Sequence, residues 1–256
     1  MVAYLSGLGD IGSIDLLLFL ATSFAASLAA GLAGFAFGIV AAAIWLHILT
    51  PVQTTALIVA YGLLVQGWAV WKLRHALNPP RLLPFVVGGS LGVPIGADIL
   101  RWTSAAQLRA GVGILMILFS LYGLARPKLR SVAAGGRAAD GIVGLASGVL
   151  GSATGLGGIL PTVWCGLRGW SKDEQRAVFQ PVAVAIFAMT ALWLGGTGLL
   201  TADALRLFAI GLPAILAGLW LGLKLYGHLG EAGFRNVVLA LLLISGVVLV
   251  IGTTQS

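Results

Sequence analysis

The stretch GLASGVLGSATGLGGILP, Gly144–Pro161, holds six glycines and a proline inside Gly141–Leu167, a run with no charged residue. Each glycine weakens a helix by about 1 kcal/mol relative to alanine, so the backbone is least able to stay helical in the middle of this run. Length sets the same limit. Residues 140–167 would make a helix of about 42 Å at 1.5 Å per residue, against a bilayer hydrocarbon core of about 30 Å. Residues 15–48 would reach about 51 Å, and they too carry glycines in their middle, in GLAGFAFGI at Gly31–Ile39. A helical hairpin in each run, turning at the glycines and returning, satisfies both length and composition.

The rest of the chain agrees with a membrane setting. Of its 256 residues 59% are hydrophobic and only 9% charged, with mean hydropathy +1.03. Soluble domains carry about 25% charged residues, so this chain cannot cover a water-facing surface and belongs in lipid. The net charge of +7 would point to nucleic acid in a soluble protein. Here it is read as cationic loops against an anionic leaflet, with membrane lipid as a partner and no nucleic acid. The single cysteine, Cys165, excludes an intramolecular disulfide and a CxxC metal site. The N-terminal MVAYLSGLGDIGSIDLLLFL has no Lys or Arg before its apolar run, unlike a cleaved signal, so the first helix is expected to stay.

A repeat is visible through the glycines. At an offset of 121 residues GLAGFAFGI lies over SATGLGGIL (Ser152–Leu160), Thr50 over Ser171, Gln53 over Glu174 and Ala56 over Ala177. At an offset of 126, Gly92 and Gly96 of LGVPIGADIL fall on Gly218 and Gly222, and Arg109 on Arg235. The chain is read as two homologous halves, residues 1–125 and 139–256, joined by a polar cytoplasmic linker at 126–138. The expected fold is an all-α polytopic membrane protein of two inverted-topology repeats, each a broken helical hairpin plus three transmembrane helices. The first has its hairpin at 15–48 and spans at 53–71, 82–100 and 106–125; the second has its hairpin at 140–167 and spans at 176–195, 204–223 and 234–252.

Charge supports this count. With both termini outside, twelve of the fifteen Lys and Arg residues fall on the inside, and only Arg101, Arg109 and Arg206 outside, a strong positive-inside bias. Each half then makes an odd net number of crossings, which turns the second half over. The first hairpin dips from outside and the second from inside, so their tips can meet near the midplane. Non-helical backbone survives at that depth only if enclosed by protein or lining a wet cavity. The half-helix after each break presents free N–H groups and a positive dipole end, and paired broken helices in inverted repeats point to a transporter's substrate site. An anion suits that polarity. Gly88, Gly89, Gly92, Gly96, Gly218 and Gly222 are read instead as helix-packing residues.

The segment GLASGVLGSATGLGGILPTVWCGLRGWSKDEQRAV, with its small residues, GxGG turn, proline, short loop and basic-Ala-Val helix start, resembles the second-half signature of the sulfite exporter TauE/SafE family. GLAGFAFGIVAAAIWLHILTPVQTTAL in the first half resembles a degenerate copy. The resemblance implies export of sulfite, sulfoacetate or related organosulfur anions across the inner (plasma) membrane. Ala36 and Phe37 stand where the family often has glycines, and Gln180-Pro181 where it often has small hydroxyl residues.

The candidate substrate-binding set begins with the breaks: Gly34, Phe35 and Ala36 in the first, Thr154, Gly155, Gly157 and Gly158 in the second. Gln180 joins them, as a ligand or as a bridge across the kinked backbone, because it is an amide in an apolar run next to Pro181, which kinks its helix. Gln53 opens the corresponding first-half helix, as a ligand or as a cap. Arg176 offers a guanidinium that matches sulfite or sulfonate geometry, or serves only topology. His47 lies near the end of the first hairpin, and Trp164 and Trp45 are expected to wall the cavity. None of the acidic residues is expected at mid-membrane, so no proton relay is required; an inside-negative potential drives anion export with about 2.3 kcal/mol per charge per 100 mV. No cofactor or metal is expected.

Transport by alternating access around the two breaks is one reading; a channel-like anion or small-solute permease is the alternative. An intramembrane enzyme would need a nucleophile with a base or a metal cluster at depth. The chain has no GxSxG, its three histidines lie far apart in sequence, and no carboxylate pair falls in an apolar run. A purely structural membrane protein would explain the glycines but not two matched breaks. A homodimer is compatible with the sequence, which marks no face for one.

Overall fold

The computed structural model describes residues 12–33, 36–125, 136–225 and 231–253. Gly34 and Phe35 of the first break lie outside them. The described residues form ten α-helices and no strand: α1 (Ser13–Ala33), α2 (Phe37–Ile48), α3 (Pro51–Leu73), α4 (Pro79–Trp102), α5 (Ala105–Ala125), α6 (Gly136–Thr154), α7 (Ile159–Leu167), α8 (Lys172–Gly196), α9 (Ala202–Leu225) and α10 (Glu231–Thr253). Six of them, α1, α3, α4, α5, α8 and α9, are long and apolar enough to cross a bilayer. The protein is therefore all-helical and multi-pass. The two overlong apolar runs are each split, α1 from α2 and α6 from α7, and the arms are unequal. At 1.5 Å per residue α1 and α6 extend about 32 and 28 Å, whereas α2 and α7 return only about 18 and 14 Å.

Local signals start the helices after each hairpin in the same way. Thr50 accepts the Gln53 N–H at 3.3 Å while the Gln53 side-chain oxygen accepts the Thr50 N–H at 3.1 Å. Ser171 and Glu174 repeat this reciprocal box at the start of α8, at 3.4 and 3.0 Å. Two otherwise orphaned N–H groups are satisfied at each start. Helix α4 begins with Asn78 accepting the Arg81 N–H, followed by Pro79 and Pro80, which have no N–H to lose.

Helices then pair across the sequence: α4 packs on α6, α1 on α9, α5 on α10, and α3 on α8. The first two seams have no room for a side chain. A Cβ on Gly88, Gly92 or Gly96 would land on the carbonyl of Gly141, Leu145 or Val149, and one on Gly144 or Gly148 on that of Phe85 or Gly89. In the other seam Gly218 faces the Phe24 carbonyl and Gly222 the Leu28 carbonyl. Apolar burial cannot drive helix association in lipid, so close van der Waals approach does, and only small residues permit it. The six glycines read as packing residues all serve these contacts or, for Gly89, also the approach of Ile186.

The largest buried cluster joins α1, α2, α3 and α9 through aromatic rings. Trp45 packs 5.1 Å from Phe19 and 6.0 Å from Tyr61, and Tyr61 stacks 4.8 Å from Phe208. The Tyr61 hydroxyl reaches the Leu207 and Phe208 carbonyls at 3.1 and 2.8 Å. It occupies the space a Cβ on Gly211 would need.

Candidate functional site: two adjoining helix breaks

Helix α6 ends because Gly155 adopts φ +78°, a left-handed conformation that side chains rarely tolerate. Its N–H still reaches the Gly151 carbonyl at 2.8 Å. Thr154 donates its hydroxyl to Leu150 at 2.7 Å and accepts the Leu156 N–H at 3.2 Å, which holds the turn. Thr55 of α3 donates to the Ala153 carbonyl at 3.2 Å, satisfying one of the acceptors that a helix end orphans. Helix α7 then starts at Ile159 after Gly158, with no side-chain cap. The N–H groups of Gly157 and Gly158 have no backbone acceptor among the described residues.

The first break ends similarly. Helix α2 starts after Ala36, in a helical conformation (φ −78°, ψ −6°) and again with no side-chain cap. The two starts adjoin: a Cβ on Gly38 would lie 3.1 Å from Leu156 Cδ2 and 3.3 Å from the Gly155 carbonyl. Ile58 of α3, fully buried, is the wedge between them, 3.1 Å from that position and 2.7 Å from a Cβ built on Gly155.

Helix α8 forms the opposite wall. Gly157 is packed against Gly151 and Ile186, whereas a Cβ on Gly158 would meet only Ala183, at an ordinary 3.5 Å. Gln180 is buried, three residues before Ala183 and so on the same helix face. Pro181, inside α8, supplies no N–H to the carbonyl four residues back. Arg176, partly buried, sits one turn before Gln180. Thr54, Gln66 and Thr190 are buried on α3 and α8, and Thr54 Oγ1, Gln66 Oε1 and Thr190 Oγ1 have no hydrogen-bond partner among the described residues. Nothing but their polarity within apolar runs marks Gln66 and Thr190 in the sequence.

Other sequence candidates lie elsewhere. Gln53 spends its side-chain oxygen on the α3 capping box. His47 is exposed in the last turn of α2. Trp45 is fully buried in the aromatic cluster. Trp164 donates its indole N–H to Asp140 at 2.8 Å. That contact belongs to a group the sequence reading missed. Asp140, placed by sequence at the edge of an apolar run, is buried on α6 and accepts from Arg168 at 3.0 Å; their side chains are only 8% and 13% exposed. Arg168, read as a topology charge, also donates to the Gly136 carbonyl and lies over the Trp164 ring. The pair ties the open end of the second hairpin shut, about 15 Å along the chain direction from the break at Gly158.

A family model described as Sulfite exporter TauE/SafE matches residues 19–249, from within α1 to within α10 and so across both breaks. The chain belongs to the sulfite exporter TauE/SafE family. No curated protein and no solved structure matches it. As a TauE/SafE protein it is a membrane transporter, of a family associated with sulfur-containing anions.

Proposed function

We propose that this TauE/SafE protein exports sulfite, sulfoacetate or a related sulfonate by alternating access around the paired breaks. One observation carries the reading: two half-helices without side-chain caps begin next to each other, at Phe37 and Ile159, around a common Ile58 wedge. Free N–H groups and two positive dipole ends in one enclosed place favour a small oxyanion. The proposed substrate site takes Ala36 from the first break, where the sequence also offers Gly34 and Phe35, and Thr154, Gly155, Gly157 and Gly158 from the second. Gln180 and Arg176 of α8 complete it, and the membrane potential drives the anion outward.

The proposal includes an inverted repeat, and the seams support it in detail. Gly92 nests on the Leu145 carbonyl; Gly218, 126 residues after Gly92, nests on that of Phe24, 121 residues before Leu145. Gly96 with Val149 is matched by Gly222 with Leu28 at the same two offsets. The capping boxes at Thr50 and Ser171 also differ by 121 residues. The short arms α2 and α7, about 18 and 14 Å, are near half the thickness of a bilayer core, which supports breaks at mid-depth. Both termini then face outside, as labelling of cysteines placed at positions 3 and 254 with an impermeant reagent in intact cells would show.

The deciding experiment is thermal stabilisation of the purified protein by sulfite, thiosulfate, sulfoacetate, taurine and sulfate, followed by flux of the best ligand in proteoliposomes. Saturable stabilisation by one of the sulfur anions, with counterflow, is expected. A panel with no stabilising anion refutes the substrate class, and flux without counterflow refutes alternating access in favour of a permeation channel.

A further inference from the structure

The outer face of the α4–α6 seam is a groove of about 770 Å³ that plays no part in the paired breaks. Its floor is backbone, because Gly88 and Gly141 bring the two helices into contact. Its walls are two ridges at one-turn spacing, Leu83, Val87 and Leu91 on α4 and Ile142 and Leu145 on α6, and all but Leu145 are at least half exposed. From Pro80 to Leu91 it runs about 16 Å, the depth of one leaflet of a bilayer core about 30 Å thick. One end is different. There Arg137, exposed and without an ion-pair partner among the described residues, closes the groove, and Pro79 and Pro80 beside it have no N–H to offer.

We propose that this groove is a binding site for one anionic phospholipid, an acyl chain lying on the glycine floor and the headgroup phosphate on the Arg137 guanidinium. A slot one leaflet long, apolar along its walls and cationic at the membrane surface, has the shape and polarity of that molecule. Charge favours an anionic headgroup over a zwitterionic one. Arg126, Lys128, Arg130 and Arg137 follow one another with no acidic residue between them, and the nearest carboxylate, Asp140, is taken by Arg168. The matching position in the first half, 121 residues earlier, is Leu16, so the other glycine seam has no such cation there. The site does not depend on the substrate proposed above.

Native mass spectrometry of the whole protein released from nanodiscs of mixed phosphatidylglycerol and phosphatidylcholine tests this. Wild type is expected to retain phosphatidylglycerol over phosphatidylcholine by about fivefold, the effect of one basic side chain near an anionic headgroup. Arg137→Gln should remove the preference while leaving the melting temperature unchanged. Ile142→Trp, which fills the groove from an exposed wall, should lower retention of both lipids. Equal retention by wild type, a preference that survives Arg137→Gln, or Ile142→Cys copies that cross-link to each other would overturn the proposal, the last by showing that a second copy covers the groove.

Discussion

Asp140→Asn keeps the size of the side chain and an acceptor for the Trp164 indole, but removes the charge that faces Arg168. The two groups are 3.0 Å apart, with side chains only 8% and 13% exposed, so the guanidinium left behind is poorly hydrated. Breaking a buried pair by removing one partner costs about 3–5 kcal/mol, most of it the uncompensated charge. Arg168 keeps its 3.0 Å bond to the Gly136 carbonyl and its place 5.2 Å from the Trp164 ring centre. The lower end applies, about 3 kcal/mol, or about a hundredfold in the folding equilibrium. Reversible unfolding in mixed micelles of rising dodecyl sulfate content, followed by tryptophan fluorescence, measures it. Because desolvating both charges is itself costly, replacing Asp140 and Arg168 together with leucine should recover most of the loss. An Asp140→Asn protein within about 0.5 kcal/mol of wild type, or a double leucine protein no more stable than Asp140→Asn, would show that the pair is not buried in the way described.

Gly96→Ala and Gly222→Ala should each lower the melting temperature markedly, since their methyl groups would land on the Val149 and Leu28 carbonyls; Gly111→Ala, which meets open space on α5, is the control and should not. Gly158→Ala should leave a folded, monodisperse protein, because its methyl meets Ala183 at ordinary contact distance, yet weaken the stabilisation by the best sulfur anion. Unchanged stabilisation would separate this backbone from the ligand. Gln180→Leu should weaken anion binding at least about tenfold, since a hydrogen bond to a charged group contributes about 1.5–3 kcal/mol. Gln180→Glu should weaken it further, and wild-type affinity in Gln180→Glu would mean that the side chain does not touch an anion.

The breaks were readable because two independent limits coincide in Gly144–Pro161: a run too long to cross once, and glycines where it must end. Helix starts at Thr50 and Ser171 follow a short pattern with a local mechanism; Gln53, left in the sequence as either ligand or cap, has its amide oxygen engaged by the Thr-x-x-Gln box. Partners were not readable. The seam glycines announce close packing but not that their neighbours are the carbonyls of α6 and α1, more than fifty residues away in the chain. Asp140, Trp164 and Arg168 look like three unrelated residues at the edges of apolar runs until the return of α7 beside α6 brings them together. Tyr61 bonds to carbonyls of α9, and every residue has a carbonyl, so no side-chain pattern can reveal that contact.

The glycine seams also decide what can move. A contact of backbone on backbone has no side-chain rotamers to freeze and no interdigitated ridges to slip past one another, so it holds as a flush joint or comes apart altogether. In the proposed cycle α4 would therefore travel with α6, and α1 with α9. Each such blade takes one helix from the first half of the chain and one from the second. In the alternating-access cycle proposed above, the moving parts would then be not the two sequence halves but two hybrids of them, and the α3–α8 contact, where Gly62 meets the edge of the Phe187 ring, would be the place left for a hinge.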